Sequence, residues 1–114
     1  MSNFKSTYSF QARAELAHNF RLQYPNYIPI ILENQGNMPT ITRPKQLINK
    51  DWTMYQVGVA IKRLIDSHDN MVMYINDQLI SDLNVTLEDI YNEYKDADGL
   101  LYIHCAGIKS CSCF

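Results

Sequence analysis

The chain has 114 residues, of which 46% are hydrophobic and 19% charged, with a formal net charge of -2 at neutral pH. That length makes one domain, large enough to bury roughly 60 to 70% of its unfolded surface without metals or disulfides, and the acidic balance argues against a nucleic-acid surface, which needs a basic excess. No apolar run reaches the roughly 18 residues of a membrane span and MSNFKSTYSF lacks the apolar core of a secretory signal, so a cytoplasmic protein is expected.

Residues 1 to 9 carry Phe4 and Tyr8 without a sustained period, which predicts a short helix or arm that docks an aromatic side chain. From Phe10 to Gln23 the apolar positions Phe10, Ala14, Ala17, Phe20 and Leu22 follow a helical stripe only in part, yet the composition favours a helix, ended by Pro25. Tyr27 to Leu32 is a β-branched, apolar run that reads as a strand, with Pro29 tolerable only at an edge or bulge. ENQGNMPT follows as a loop, and residues 43 to 50, RPKQLINK, form a weaker second strand that Pro44 marks as an edge.

Thr53 to Ser67 is the strongest periodic segment. Met54, Val57, Ile61, Leu64 and Ile65 recur at helical spacing with Lys62, Arg63 and Asp66 between them, so one stripe of the helix is expected to be buried. Thr53 with Gln56 forms a capping box at its start. Gly58 and Ala60 are small, and an interior glycine costs about 1 kcal/mol relative to alanine, which predicts that a sheet approaches this surface closely. The helix is expected to end near His68 to Asn70. MVMYIND, 71 to 77, reads as a third strand ending in a turn at Asn76 and Asp77; Thr86 caps a short helix to Tyr94; Asp98-Gly99 is a turn before a fourth strand at 100 to 106.

This order predicts an α+β fold of the β-grasp, or ubiquitin-like, kind: a four-stranded mixed sheet around one central helix, with two extra helices in front. It divides into an N-terminal helical extension at 1–24, the β-grasp domain at 25–106 and a flexible cysteine-containing tail at 107–114.

Phe10, the run Tyr24-Pro25-x-x-x-Pro29 followed by Ile30, Ile31 and Glu33, then Lys45, Leu47, Ile48 and Asp51 leading into Thr53 and Gln56, and finally Leu101-Tyr102-Ile103 resemble the autophagy ubiquitin-like modifiers of the GABARAP type in order and spacing. The likeness runs from about residue 4 to about 106. It implies an adaptor without enzymatic activity or cofactor that binds aromatic-x-x-aliphatic peptides of cargo receptors and autophagy proteins and works at autophagosome or vesicle membranes. Such a peptide adds a strand along residues 43 to 48 and places two apolar side chains in pockets. Carried over position by position, the aromatic pocket is lined by Leu16, Phe20, Pro29, Lys45, Leu47 and Leu100, and the aliphatic pocket by Gln46, Ile48, Trp52, Val57 and Ala60. Leu16 stands where relatives often carry an acidic residue, and Tyr27 replaces a usual basic one. Gln46 and Asn49 make the second pocket more polar, with Trp52 available to refill it. Pro44 removes one N–H, and its effect depends on register.

Taken singly, Leu16, Phe20, Ile48, Val57 and Leu100 are also ordinary core candidates. The tail departs further from the resemblance. Relatives place an aromatic residue and a lipid-conjugated glycine where this chain aligns Cys111 and Ser112, and the nearby Gly107 comes right after the last strand with little reach. Cys111-Ser-Cys113-Phe114 has the length and leading cysteine of a prenylation box, so Cys111, Cys113 and Gly107 are the candidate lipidation positions. The three cysteines, all in the last ten residues, make a poor disulfide framework and fit a reducing compartment. A zinc set of His104, Cys105, Cys111 and Cys113 is disfavoured because adjacent strand residues face opposite ways, and a thiol enzyme built on Cys105 meets the same objection. The second reading is a soluble, diverged ubiquitin-like regulatory protein without conjugation or peptide capture.

Overall fold

Residues 27 to 35 alternate between two apolar clusters, and the architecture follows from that alternation. The computed structural model describes residues 3–35, 43–65 and 70–108. Strand β1 (Tyr27–Gln35) sends Ile28, Ile30 and Leu32 to one face and Ile31 to the other, all four inaccessible to solvent or nearly so. An interior strand covered on both faces reads as a continuous apolar run, which is how YIPIIL reads. Strand β5 (Leu101–Ile108) lies parallel to β1 and divides the same way, Leu101, Ile103 and Cys105 on the first face and Tyr102 on the second, where Leu100 joins it.

Helix α3 (Met54–Ile65) covers the first face with Met54, Val57 and Ile61, each fully buried, and helix α4 (Leu87–Tyr94) adds Leu87, Ile90 and Tyr91. Helix α1 (Asn3–Thr7) and helix α2 (Phe10–Gln23) cover the second, through Phe4 and Ala17. Strands β2 (Lys45–Asn49), β3 (Asn70–Ile75) and β4 (Gln78–Leu79) complete a mixed sheet of order β2-β1-β5-β3-β4, in which only the β1–β5 pair is parallel.

The predicted start signals are in place. Gln56 N–H donates to Thr53 Oγ1 at 3.3 Å while Thr53 N–H donates to Gln56 Oε1 at 2.9 Å, so two donors of the first turn are satisfied reciprocally. Thr86 Oγ1 accepts from Asp89 N–H at 3.2 Å. The close neighbour of Gly58 is β3: a Cβ at that position would stand 3.2 Å from Met73 Cε.

Four expectations change. The sheet has a fifth strand, because Asn76 and Asp77 both adopt positive φ, 52° and 63°, and turn the chain straight back into Gln78–Leu79. Pro29 lies in an interior strand. Its missing N–H would point toward β5, whose ladder with β1 begins one residue later at Ile30 opposite Leu101, so no bond is lost. Gly107 lies within the last strand, opposite Met71 of β3, rather than after it. The predicted loop from Glu33 starts inside β1, which runs on to Gln35 because β5 keeps pairing with it. Most of that loop, the end expected for the central helix around His68, and Cys111 and Cys113 lie outside the described residues.

The N-terminal helices are held by more than apolar contact. Asp98, 3% exposed, accepts from Arg13 Nη1 at 2.7 Å and from the Tyr102 hydroxyl at 2.5 Å through Oδ2, and from Leu100 N–H at 2.9 Å through Oδ1. Burial, and the bond to this carboxylate, push the Tyr102 hydroxyl well above the usual phenol range. Lys5 Nζ reaches Asp96 Oδ1 at 2.6 Å and lies over the Tyr102 ring.

Candidate functional site

Strand β2 is an outer strand of the sheet, and its register decides what it offers. Leu32 N–H donates to Pro44 O at 2.8 Å, and Lys50 N–H to Asn26 O at 3.0 Å. In an antiparallel pair the bonded positions alternate, so Pro44, Gln46, Ile48 and Lys50 turn their backbone groups toward β1, while Lys45, Leu47 and Asn49 turn theirs outward. The N–H that Pro44 lacks therefore belongs to the β1 side. The open edge keeps its donors.

Beside that edge lies an open groove of about 620 Å³. Tyr27 contributes from β1, Gln46 to Asn49 from β2 and Trp52 from the turn that follows, while Ala60, Arg63 and Leu64 form the α3 wall. The helix wall follows from spacing, because residues three and four apart share a face. The expected buried stripe of α3 accordingly splits: Met54, Val57 and Ile61 enter the core, whereas Leu64 is 47% exposed and faces the groove. Trp52, 39% exposed, is fixed through its backbone, its carbonyl accepting from Leu87 N–H at 2.8 Å. Tyr27 is braced by a perpendicular contact with Tyr24 and by Arg21 Nη1, which donates to its carbonyl at 3.0 Å.

The residues assigned to the aliphatic pocket thus converge, with one correction. Gln46, Ile48, Trp52 and Ala60 share the groove, but Val57 is fully enclosed in the core and presents no surface, because it falls on the inward side of α3 between Met54 and Ile61. The aromatic-pocket set is more scattered. Leu47 lines the same groove, and Pro29, opposite it across the β1–β2 pair, is buried. Lys45 is exposed, its Nζ 5.5 Å from the centre of the Tyr8 ring. Leu16 and Phe20 are half-buried on α2, with Leu16 packed against the second cluster. Leu100 is fully buried within that cluster, so it too is core rather than contact surface. Sequence reasoning missed Arg63 and Leu64 as wall residues, although their distance from Ala60 carried the signal.

Cys105 is fully buried, and burial pushes its thiol up to about 12, so almost none of it is thiolate at neutral pH. His104 faces the other side of the sheet, its Nε2 3.3 Å from Glu33 Oε1 but not aligned as a hydrogen bond. Among the described residues, no group of three or more His, Cys, Asp or Glu could hold a metal ion, and no helix is long and apolar enough to cross a membrane.

Residues 12–111 match the family model described as autophagy protein Atg8, ubiquitin-like. The chain belongs to the Atg8 family. Autophagy-related protein 8 of Mycosarcoma maydis is 34% identical over 109 residues, spanning 93% of this chain and 92% of that protein. The Schizosaccharomyces pombe protein of the same name is 32% identical, spanning 93% and 90%. The fold agrees as well. A crystal structure of Trypanosoma brucei ATG8 superposes with a TM-score of 0.90 at 27% identity, covering 96% of this chain and 97% of that one. Plasmodium falciparum Atg8, solved in complex with a P. falciparum Atg3 peptide, gives 0.86 at 24% identity, covering 96% and 99%. As an Atg8-family protein the chain is a ubiquitin-like modifier and adaptor of autophagy rather than an enzyme.

Proposed function

We propose that this Atg8-family chain works in the cytoplasm by capturing short extended peptides from autophagy proteins along the open edge of β2. The observation that carries the reading is the register of that edge. Lys45 and Leu47 point their backbone groups outward immediately beside an apolar-lined groove, which suits an added strand with an anchoring side chain, while the outward carbonyl of Asn49 is already taken by Trp52 N–H. Backbone pairing fixes direction and register, while anchor burial supplies affinity, about 1.5 to 3 kcal/mol for each enclosed apolar side chain. An exposed ion pair at the rim adds about 0 to 1 kcal/mol. The groove takes the second anchor of the peptide. The first anchor falls on the α2 side of β2, near the half-buried Leu16 and Phe20 and the exposed Lys45. That the Plasmodium relative was solved with an Atg3 peptide supports a peptide ligand of this class.

The test is a titration of the isotopically labelled chain with an aromatic-x-x-aliphatic peptide. Amide shifts concentrated at Lys45 to Ile48 and in α3 near Ala60 are expected. No shift at high micromolar peptide would overturn the proposal and leave a regulatory family member without peptide capture.

A further inference from the structure

The outward side of α3 carries an apolar strip that the fold leaves uncovered. Tyr55, 62% exposed, and Val59, also exposed, stand one turn apart and share a face of the helix. The backbone lays the exposed Leu83 beside the start of that strip, because the Leu83 carbonyl accepts from Tyr55 N–H at 3.0 Å and the Val85 carbonyl from Met54 N–H at 2.9 Å. Asp82 Oδ1 accepts from Asn84 N–H at 3.0 Å, which fixes the turn that presents Leu83. The strip therefore stands on a backbone already held in one conformation, and a partner that meets it has little ordering to impose.

Carboxylates gather at that end of the helix. Asp82 flanks Leu83, Asp51 precedes α3, and Glu88 and Asp89 open α4, which is bound to the same corner by Leu87 N–H donating to Trp52 O at 2.8 Å and Glu88 N–H to Lys50 O at 3.0 Å. Lys50 is the one cation among residues 50–55 and 82–89, and Asp51 and Glu88 share it at 3.3 and 3.5 Å. The corner stays net acidic, so it repels anionic lipid and nucleic acid and attracts a basic partner. It offers no open strand edge either, since Tyr55 and Val59 lie in helix and the carbonyls of Leu83 and Val85 are engaged. Apolar anchors one helical turn apart suit a second helix laid along them.

We infer that Tyr55, Val59 and Leu83 form a docking surface, separate from the β2 edge, for an amphipathic helix of a partner protein whose apolar stripe covers them and whose lysine or arginine residues meet Asp51 and Asp82. Lys62, one turn beyond Val59, gives the strip a basic far end, so the charges of the partner helix set its direction. The inference does not depend on peptide capture at β2. Because the two surfaces use different residues, a chain that engages both holds two partners together.

The probe is a capped helical peptide with leucines on one stripe and lysines at one end, and its twin carries glutamate in place of each lysine. In calorimetric titrations of the full chain, the lysine peptide is expected to bind and the glutamate twin to bind at least about tenfold more weakly. Tyr55→Ser and Leu83→Ser, each checked for a wild-type amide spectrum, are expected to weaken the lysine peptide about tenfold, the loss of one enclosed anchor. Asp82→Asn keeps the acceptor for Asn84 N–H but removes the charge, so a loss of up to about fivefold that added salt abolishes is expected. Equal binding of the twins, unchanged affinity in either serine variant, or no binding of the lysine peptide overturns the inference. Displacement of the lysine peptide by an aromatic-x-x-aliphatic peptide also overturns it, by placing the helix at β2. Self-association in sedimentation that Tyr55→Ser abolishes would assign the strip to a second copy of the chain instead.

Discussion

Beneath α3 and α4 the sheet is covered almost wholly by aliphatic packing, Met54, Val57, Ile61, Leu87 and Ile90 against Ile28, Ile30, Leu32, Leu101 and Ile103. Beneath α1 and α2 a much smaller cluster of Phe4, Ala17, Ile31, Leu100 and Tyr102 is closed by Arg13, Asp98, Lys5 and Asp96. The first face depends on volume and tolerates little change of shape. The second depends on directed contacts between segments far apart in the chain, Arg13 and Asp98 being 85 residues apart. The N-terminal helices are therefore the part of the fold that charge and pH can address separately from the rest.

Substitutions on each face sharpen this contrast. Ile61→Ala opens a cavity in the packed face and is expected to cost about 2 to 5 kcal/mol, read from urea denaturation, with the whole domain destabilised together. Asp98→Ala leaves Leu100 N–H, the Tyr102 hydroxyl and Arg13 without their shared acceptor, at a cost of about 3 kcal/mol. Its signature differs, because amide exchange should accelerate first in α2 around Arg13 to Ala17 while α3 stays protected. Equal acceleration in both helices would erase the distinction between the faces.

The smallest effect is a pH response at the Lys5–Asp96 contact. Partial burial pulls the Asp96 carboxyl upward, but the Lys5 ammonium and the Asp98 backbone N–H outweigh it and hold the group below its ordinary value. A carboxyl depressed in the folded state contributes stability that is present in full above its unfolded value and is lost as pH falls through the folded one. Little change is expected between neutrality and about pH 5, with loosening of α1 below about pH 4. The Phe4 and Tyr8 ring resonances report it, and Lys5→Met should remove the response at a cost of under about 1 kcal/mol.

What could be read from sequence follows the range of the interactions. Thr53 with Gln56 and Thr86 with Asp89 act within one helical turn, and their caps stand where the residues predict. The β-grasp order was legible because α3 carries its own helical period and β1 its own continuous apolar run, whereas α2 was read from composition alone. Pro29 misled because the cost of a proline depends on where the neighbouring ladder starts, which is a property of β5 rather than of Pro29. Strand β4 is too short to show alternation, and Asp98 reads as a turn residue until Arg13 arrives from the other end of the chain. Gln46, Ile48, Trp52 and Ala60, grouped by the family resemblance, lie around one groove. Val57 and Leu100 were misassigned because an apolar residue beside a pocket and one beneath it look alike in sequence.

The outer strand proposed to take a peptide is five residues long, with Lys45 and Leu47 turning open backbone groups outward. A longer, flatter and more apolar edge would template pairing between two copies of the chain and lead toward aggregation. Here the brevity of β2 and the charge of Lys45 oppose extended edge-to-edge contact. An uncovered edge of this length and charge disfavours self-pairing even where copies of the chain are concentrated.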